Sequence, residues 1–302
     1  MGESPRFQYY LVVASMFKDE GPYLAEWVSH HLAQGADHIV LYDNGSSDNG
    51  ASEVKRWIDS GHVTLINWPE PKSEGSQYRA VHHSLELMRE RARWITFLDT
   101  DEFLFSPGGA SLPTVLRAFE DEVGIDVHWI CYGSSGHLKK PVGSVRESYL
   151  YRAPIQFMRN RQFKTIVDPR EAINRKPRQH DWQFRNGRRS VNEARMPLAY
   201  RGSLRDRWEQ HLHRRLPSLH RWLAERFPLH FSYYFVIMRP VSADILRINH
   251  YVVRSRQEFA EKQSRHGAHR ADKYSESFFN YHDRNEVLDP ILSPRQNQEL
   301  RR

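Results

Sequence analysis

The stretch Trp94-Ile-Thr-Phe-Leu-Asp-Thr-Asp-Glu-Phe103 runs an apolar, strand-like pattern straight into Asp99, Asp101 and Glu102. Three carboxylates this close repel one another, so a cation or a set of hydrogen-bond donors must offset the cost. A divalent metal bridging the carboxylates to a diphosphate is one answer. A turn capped by Asp101, with Glu102 in solvent, is the other. Two further polar clusters, Lys18 to Glu20 and Asp43 to Asp48, also follow apolar runs. Asp43 or Asn44 could hydrogen-bond a nucleobase edge, although Asp43-Asn-Gly-Ser46 is equally good turn chemistry. Lys18 and Glu20 could frame the base. Arg79, at the head of the next helix, could meet a diphosphate or form a surface ion pair.

These residues need a scaffold, and the first hundred positions supply an alternating one. Tyr9 to Met16 is nearly continuous apolar sequence, as in a strand buried on both faces. Leu24, Trp27, Val28, His31 and Leu32 follow at helical spacing, with Gly35 suited to the C-terminal cap. Strands are predicted at His38 to Tyr42, Val63 to Asn67 and Trp94 to Leu98. Helices are predicted from Ser47 or Asp48 to about Ser60, and around Tyr78, Val81, Leu85 and Met88. The alternation implies an α/β fold with a mostly parallel sheet and helices on both faces. Ligands of such sheets lie at the carboxyl ends of the strands, where all three polar clusters fall.

The second half is less regular. Trp129 to Tyr132 and Ser148 to Tyr151 read as strands, and Ser203 to Phe227 as an Arg-rich helical region broken at Pro217. That region fits packing on the core or peripheral membrane contact. The pairs His30-His31, His82-His83 and His211-x-His213 have metal-like spacings without Cys or Glu partners in order, so zinc is not expected.

The 302 residues carry a net charge of +7, and residues 151–230 hold 19 Lys and Arg against 7 Asp and Glu. Acidic partners are therefore favoured. Cys131 is the only cysteine, which precludes an intrachain disulfide and fits a reducing compartment. No apolar run reaches the roughly 20 residues of a membrane span, and Met1 to Phe7 lacks the pattern of a signal peptide. A cytoplasmic protein, peripheral at most to the inner membrane face, is expected.

Five segments in order resemble glycosyltransferase family 92 and the family 2-like group of GT-A fold (Rossmann-like) glycosyltransferases. They are Lys18 to Trp27, Asp43 to Asp48, Trp94 to Phe103, Phe163-Lys-Thr-Ile-Val-Asp-Pro169 and Asn249-His-Tyr-Val-Val-Arg-Ser255, the last continued by Glu258-Phe259, Lys262 and Gly267. The resemblance implies a nucleotide-sugar donor, expected to be a UDP-sugar, a glycan or glycoconjugate acceptor, and Mn²⁺ or Mg²⁺. It implies Asp101 as a direct metal ligand, Asp99 on the metal through water or on the ribose, and His250 as a neutral-imidazole ligand of the metal or diphosphate. Lys164 would neutralise the leaving group. Where the family has Lys-Ser this sequence has Arg254-Ser255, which keeps the charge but not the geometry. Inverting displacement needs a carboxylate base, and Asp181 and Glu147 are the candidates, each also readable as an Arg partner. Because the carboxylates repel, Asp101→Asn should leave metal-free stability unchanged or higher.

One domain over 1–302 is expected: a nucleotide-binding half (1–105), an acceptor-side half (106–270) and a tail (271–302). Two other functions remain open on the residues. A sugar nucleotidyltransferase would want a Gly-rich phosphate loop after the first strand, and Met16 to Gly21 offers one Gly. A non-catalytic module for acidic glycans or nucleic acid would rest on basic charge alone, and no nucleic-acid motif is present.

Overall fold

A computed structural model describes residues 7–69, 75–173, 182–196, 241–266 and 275–293, together with 212, 215–216 and 218–219. Asp181 and nearly all of the helical region read over 203–227 lie outside the described residues.

The chain begins β1 (Tyr9–Phe17), α1 (Gly21–Ala33), β2 (His38–Asp43), α2 (Gly50–Glu53), α3 (Lys55–Asp59), β3 (Val63–Asn67), α4 (Ser76–Met88) and β4 (Ala92–Phe97). It continues β5 (Glu102–Phe105), α5 (Leu112–Leu116), β6 (Gly124–Cys131), α6 (Val145–Ser148), β7 (Tyr151–Arg152), β8 (Phe163–Val167) and β9 (Val191–Asn192). The last elements are β10 (Arg247–His250), α7 (Arg256–His266), α8 (Glu276–His282) and β11 (Val287–Leu288).

The main sheet has the order β3-β2-β1-β4-β8-β6-β10-β5, with β9 beside β6. Strands β3, β2, β1 and β4 are mutually parallel, as the alternating pattern predicts. Side chains of a strand alternate between faces, and here both faces are covered. Leu11, Val13, Ile39 and Leu41 join Trp27 and Val28 of α1 on one side. Val12, Ala14, Val40 and Tyr42 join Val81, Leu85 and Met88 of α4 on the other. The continuous apolar reading of β1 is thus explained by burial on both faces. Gly35 adopts φ +98°, a conformation open to glycine at little cost.

Beyond β4 the directions mix, and this matters for the site. β8 runs antiparallel to both β4 and β6, while β10 runs parallel to β6 and antiparallel to β5. The first residues of β8 and β5 therefore reach the same rim as the last residues of β1, β4, β6 and β10.

Two sequence expectations are corrected. The helix expected from Ser47 or Asp48 to about Ser60 is two short helices divided at Val54, a fully buried residue with φ −106°. The strand expected from Ser148 to Tyr151 is instead the end of α6 followed by the two-residue β7. Ser144 and Glu147 form a reciprocal capping box, which starts a helix there. Among the described residues no helix is long and apolar enough to cross a membrane.

Candidate active site at the carboxyl edge of the sheet

The carboxylates lie on the turn from β4 into β5. The Glu102 N–H donates to the Asp99 carbonyl at 3.0 Å, and the Asp99 N–H donates to Glu102 Oε2 at 2.9 Å. Trp27 of α1 fixes the turn from beneath, its indole N–H donating to the carbonyls of Glu102 (2.9 Å) and Asp99 (3.2 Å). The reading of Glu102 as a solvent-facing residue is corrected: it is fully buried.

Strand direction then delivers the cations. Lys164, second in β8, lies beside the end of β4 and sends its ammonium to Asp99 Oδ2 at 3.0 Å and Glu102 Oε2 at 3.2 Å. His250, last in β10, pairs in register with Glu102 and Cys131, which puts its Nε2 3.4 Å from Asp101 Oδ1. Lys262 reaches from α7 to Asp101 Oδ2 at 2.7 Å. Gln77, in the first turn of α4, donates to Asp99 Oδ1 at 2.9 Å. The repulsion foreseen in the sequence is thus offset by protein cations.

Charge states follow from this geometry. Burial raises the Asp101 carboxyl, but Lys262 and His250 overcome it and hold the group well below the usual range. Asp99 is likewise lowered, Lys164 outweighing burial. Burial pushes Glu102 up to about 7, with Lys164 opposing and Asp99 adding to the rise. Burial alone would lower His250, yet Asp101 raises it to about 10. In the ligand-free site Asp101 thus favours the charged form of the imidazole, and a metal at this position would take the place of that proton.

The two remaining rim clusters interlock. Asp19 accepts from the Ser47 N–H (2.6 Å), and Asp48 accepts from the N–H groups of Gly21 (2.8 Å) and Gly50 (3.1 Å), so one carboxylate serves the starts of α1 and α2. Asp43 accepts from the Ser46 N–H at 2.8 Å, the turn its sequence permits. Asn44 is buried, and its amide donates to the Trp68 carbonyl at 2.9 Å, tying β2 to the end of β3. Lys18 follows β1 directly. Glu20 precedes α1 and meets Arg254 Nη1 at 3.3 Å. Arg254 has φ +55° and lays its guanidinium 3.6 Å from the Tyr23 ring centroid.

Arg79 is exposed on α4, its guanidinium packed over Gly75, where a Cβ would come within 2.5 Å. Glu147 accepts from Ser144 at 2.9 Å (hydroxyl) and 3.4 Å (N–H), so its hydrogen bonds close its own helix rather than join the cluster. His30 and His31 are core residues bonded to the carbonyls of Leu104 and Trp27, each at 2.9 Å.

Two contributors, Glu258 and Gln77, were given no role by the sequence. Glu258 of α7 accepts from Tyr23 (2.6 Å), Tyr149 and Ser255 (hydroxyl, 2.5 Å), and so clamps the stretch that carries His250 and Lys262. The Ser144-x-x-Glu147 spacing is a capping signature that could have classified Glu147. Ser255-x-x-Glu258 is the same signature and closes the same reciprocal box at the start of α7, with both bonds at 3.2 Å, whereas Gln77 carries no such local signal.

The profile of glycosyltransferase family 92 matches residues 8–196, more than half of the chain. A family 92 protein of Oryza sativa subsp. japonica is 33% identical over 169 residues, covering 54% of this chain and 27% of the relative. A galactan beta-1,4-galactosyltransferase of Arabidopsis thaliana is 26% identical over 182 residues, covering 56% and 35%. The chain thus spans about a quarter to a third of the length of these curated relatives. Among solved structures, S. aureus TarS (1–349) is similar over 53% of this chain and 47% of its own, at 11% identity and a TM-score of 0.37. The extent of the profile match carries the assignment: the chain belongs to glycosyltransferase family 92.

Proposed function

We propose that this chain is a metal-dependent, inverting glycosyltransferase that moves a sugar from a UDP-sugar to a glycan or glycoconjugate acceptor. The observation that carries this reading is the convergence of Asp99, Asp101 and His250 with Lys164 and Lys262 on the rim where α/β sheets bind nucleotides. Among the described residues no group of three or more His, Cys, Asp and Glu side chains is arranged to hold a metal unaided. That fits Mn²⁺ or Mg²⁺ in the mode where one or two protein ligands are completed by phosphate oxygens and water. Asp101 and His250 would hold it, His250 after losing its proton, with Asp99 through water. The ion would supply Lewis-acid stabilisation of the leaving diphosphate.

The chain's own residues do the rest. Lys164 holds Asp99 in place from the buried side, and Trp27 fixes the turn that aims both aspartates. Asp43, Lys18 and Glu20 border the position of the base, and Arg79 stands at the head of α4 for the diphosphate. Of the two base candidates, Glu147 is engaged in its capping box, so Asp181 is carried forward. A cytoplasmic setting, peripheral at most to the inner membrane face, is part of the same proposal and rests on the single buried Cys131 and the basic charge.

The test is thermal unfolding with UDP, CDP or GDP, each with Mn²⁺ or with chelator, followed by transfer assays. UDP-galactose is the first donor to try, since the Arabidopsis relative is named for galactosyl transfer. UDP with Mn²⁺ at a hundred times its Kd should add about 2.7 kcal/mol of stability. Equal stabilisation in chelator would remove the metal, and preference for GDP would remove the uracil assignment.

A further inference from the structure

Both oxygens of Asp101 are already taken. Oδ2 accepts from Lys262 at 2.7 Å, and Oδ1 faces His250 at 3.4 Å. A divalent cation at this carboxylate either takes the place of one of them or lies beside two positively charged neighbours. The two ammonium groups of the site differ in how firmly they are kept. Lys164 bridges two carboxylates with 1% of its side chain exposed. Lys262 bonds Asp101 and the Val252 carbonyl (3.3 Å) with 20% exposed, and it extends from α7 rather than from the sheet. Lys262 is therefore the cation that can leave.

On the reading of this site as a metal–nucleotide site, we infer that Lys262 is a resident counter-ion. It holds the cation position of Asp101 until a divalent cation and a nucleoside diphosphate arrive together, and then pairs with diphosphate oxygens. A charge-assisted bond at 2.7 Å is among the stronger polar contacts in a protein. A bare divalent ion either breaks that bond or lies beside the ammonium, and both outcomes leave two positive charges close together. A diphosphate gives the displaced ammonium a new anionic partner, so the two ligands bind cooperatively, and by linkage each strengthens the other equally.

The experiment is titration of Mn²⁺, followed by electron paramagnetic resonance and calorimetry, into the parent, Lys262→Met and Lys262→Arg, without nucleotide and with saturating UDP. Lys262→Met should bind Mn²⁺ alone at least tenfold more tightly than the parent, and the factor by which UDP enhances Mn²⁺ binding should shrink by a similar amount. Lys262→Arg, which keeps the charge, should retain the parent's weak binding of bare Mn²⁺. Unchanged or weaker binding of bare Mn²⁺ by Lys262→Met, with UDP-dependent binding intact in the parent, overturns the counter-ion role alone. Failure of the parent to bind Mn²⁺ even with UDP overturns the metal–nucleotide reading beneath it. If Lys262→Met does not fold, Lys262→Gln keeps a hydrogen bond to Asp101 without the charge and carries the same comparison.

Discussion

Asp101 answers two demands, since in the ligand-free protein it pairs with Lys262 and His250 and in the proposed complex it coordinates a metal. Asp101→Asn should abolish UDP–Mn²⁺ binding in calorimetry, because an amide oxygen is a poor ligand for a hard cation. It should also lower ligand-free stability by about 2 kcal/mol in denaturant unfolding, through loss of charge-assisted bonds. That reverses the expectation drawn from repulsion alone, and the reason is Lys262, which lies 161 residues further along the chain. Lys164→Met should cost about 3 kcal/mol, chiefly by stranding the buried Glu102 carboxylate. Adding Glu102→Gln should recover part of that loss, and strict additivity of the two changes would refute their coupling. The carboxylates were legible because a polar cluster interrupts an apolar run. Lys164 and His250 were singled out only through the family resemblance, and the pairing of Lys262 with Asp101 was not legible, since a Lys on an amphipathic helix looks the same whether it meets solvent or a carboxylate.

Strand direction decides which residues meet. Parallel strands β1 to β4 follow from their alternation with helices, and that part of the fold was legible. The reversal of β8 was not, because a five-residue strand carries no sign of its direction. Yet the reversal is what brings Lys164 rather than Val167 to the rim. On β6, Asp126 is buried and accepts from Thr165 (2.7 Å) and Ser190 (2.6 Å), and burial raises its carboxyl to about 7 despite both donors. Its folded-state value lies above the unfolded one, so the fold keeps a proton that the unfolded chain has lost. Stability therefore falls as pH rises from about 4 to 7, by at most about 4 kcal/mol. Asp126→Asn should raise the Tm at pH 8 and leave it unchanged or lower at pH 4. A shift of equal size at both pH values would contradict this account.

Across the whole molecule, one apolar cluster includes residues from Leu11 to Leu292. Glu258 adds a polar tie between α1 and α7, from Tyr23 to a partner 235 residues away. Glu258→Ala should cost about 3 kcal/mol, and unfolding should remain a single transition by circular dichroism and tryptophan fluorescence. Two separate transitions would show that the C-terminal stretch carrying His250 and Lys262 unfolds apart from the sheet.

The distance along the chain between the carboxylates and their partners also sets an order in time. Asp99 is synthesised 65 residues before Lys164, and Asp101 is synthesised 161 residues before Lys262. At about 5–20 residues per second, the ribosome makes the acidic turn roughly 10–30 s before the last of its counter-charges. Until Lys164 is made the emerging β1 to β4 segment carries an acidic patch with no cation of the chain beside it, and Asp101 waits longer, for His250 and Lys262. The turn between β4 and β5 should therefore reach its final form only after synthesis passes α7, and a nascent chain stalled short of Lys262 should be protease-sensitive there.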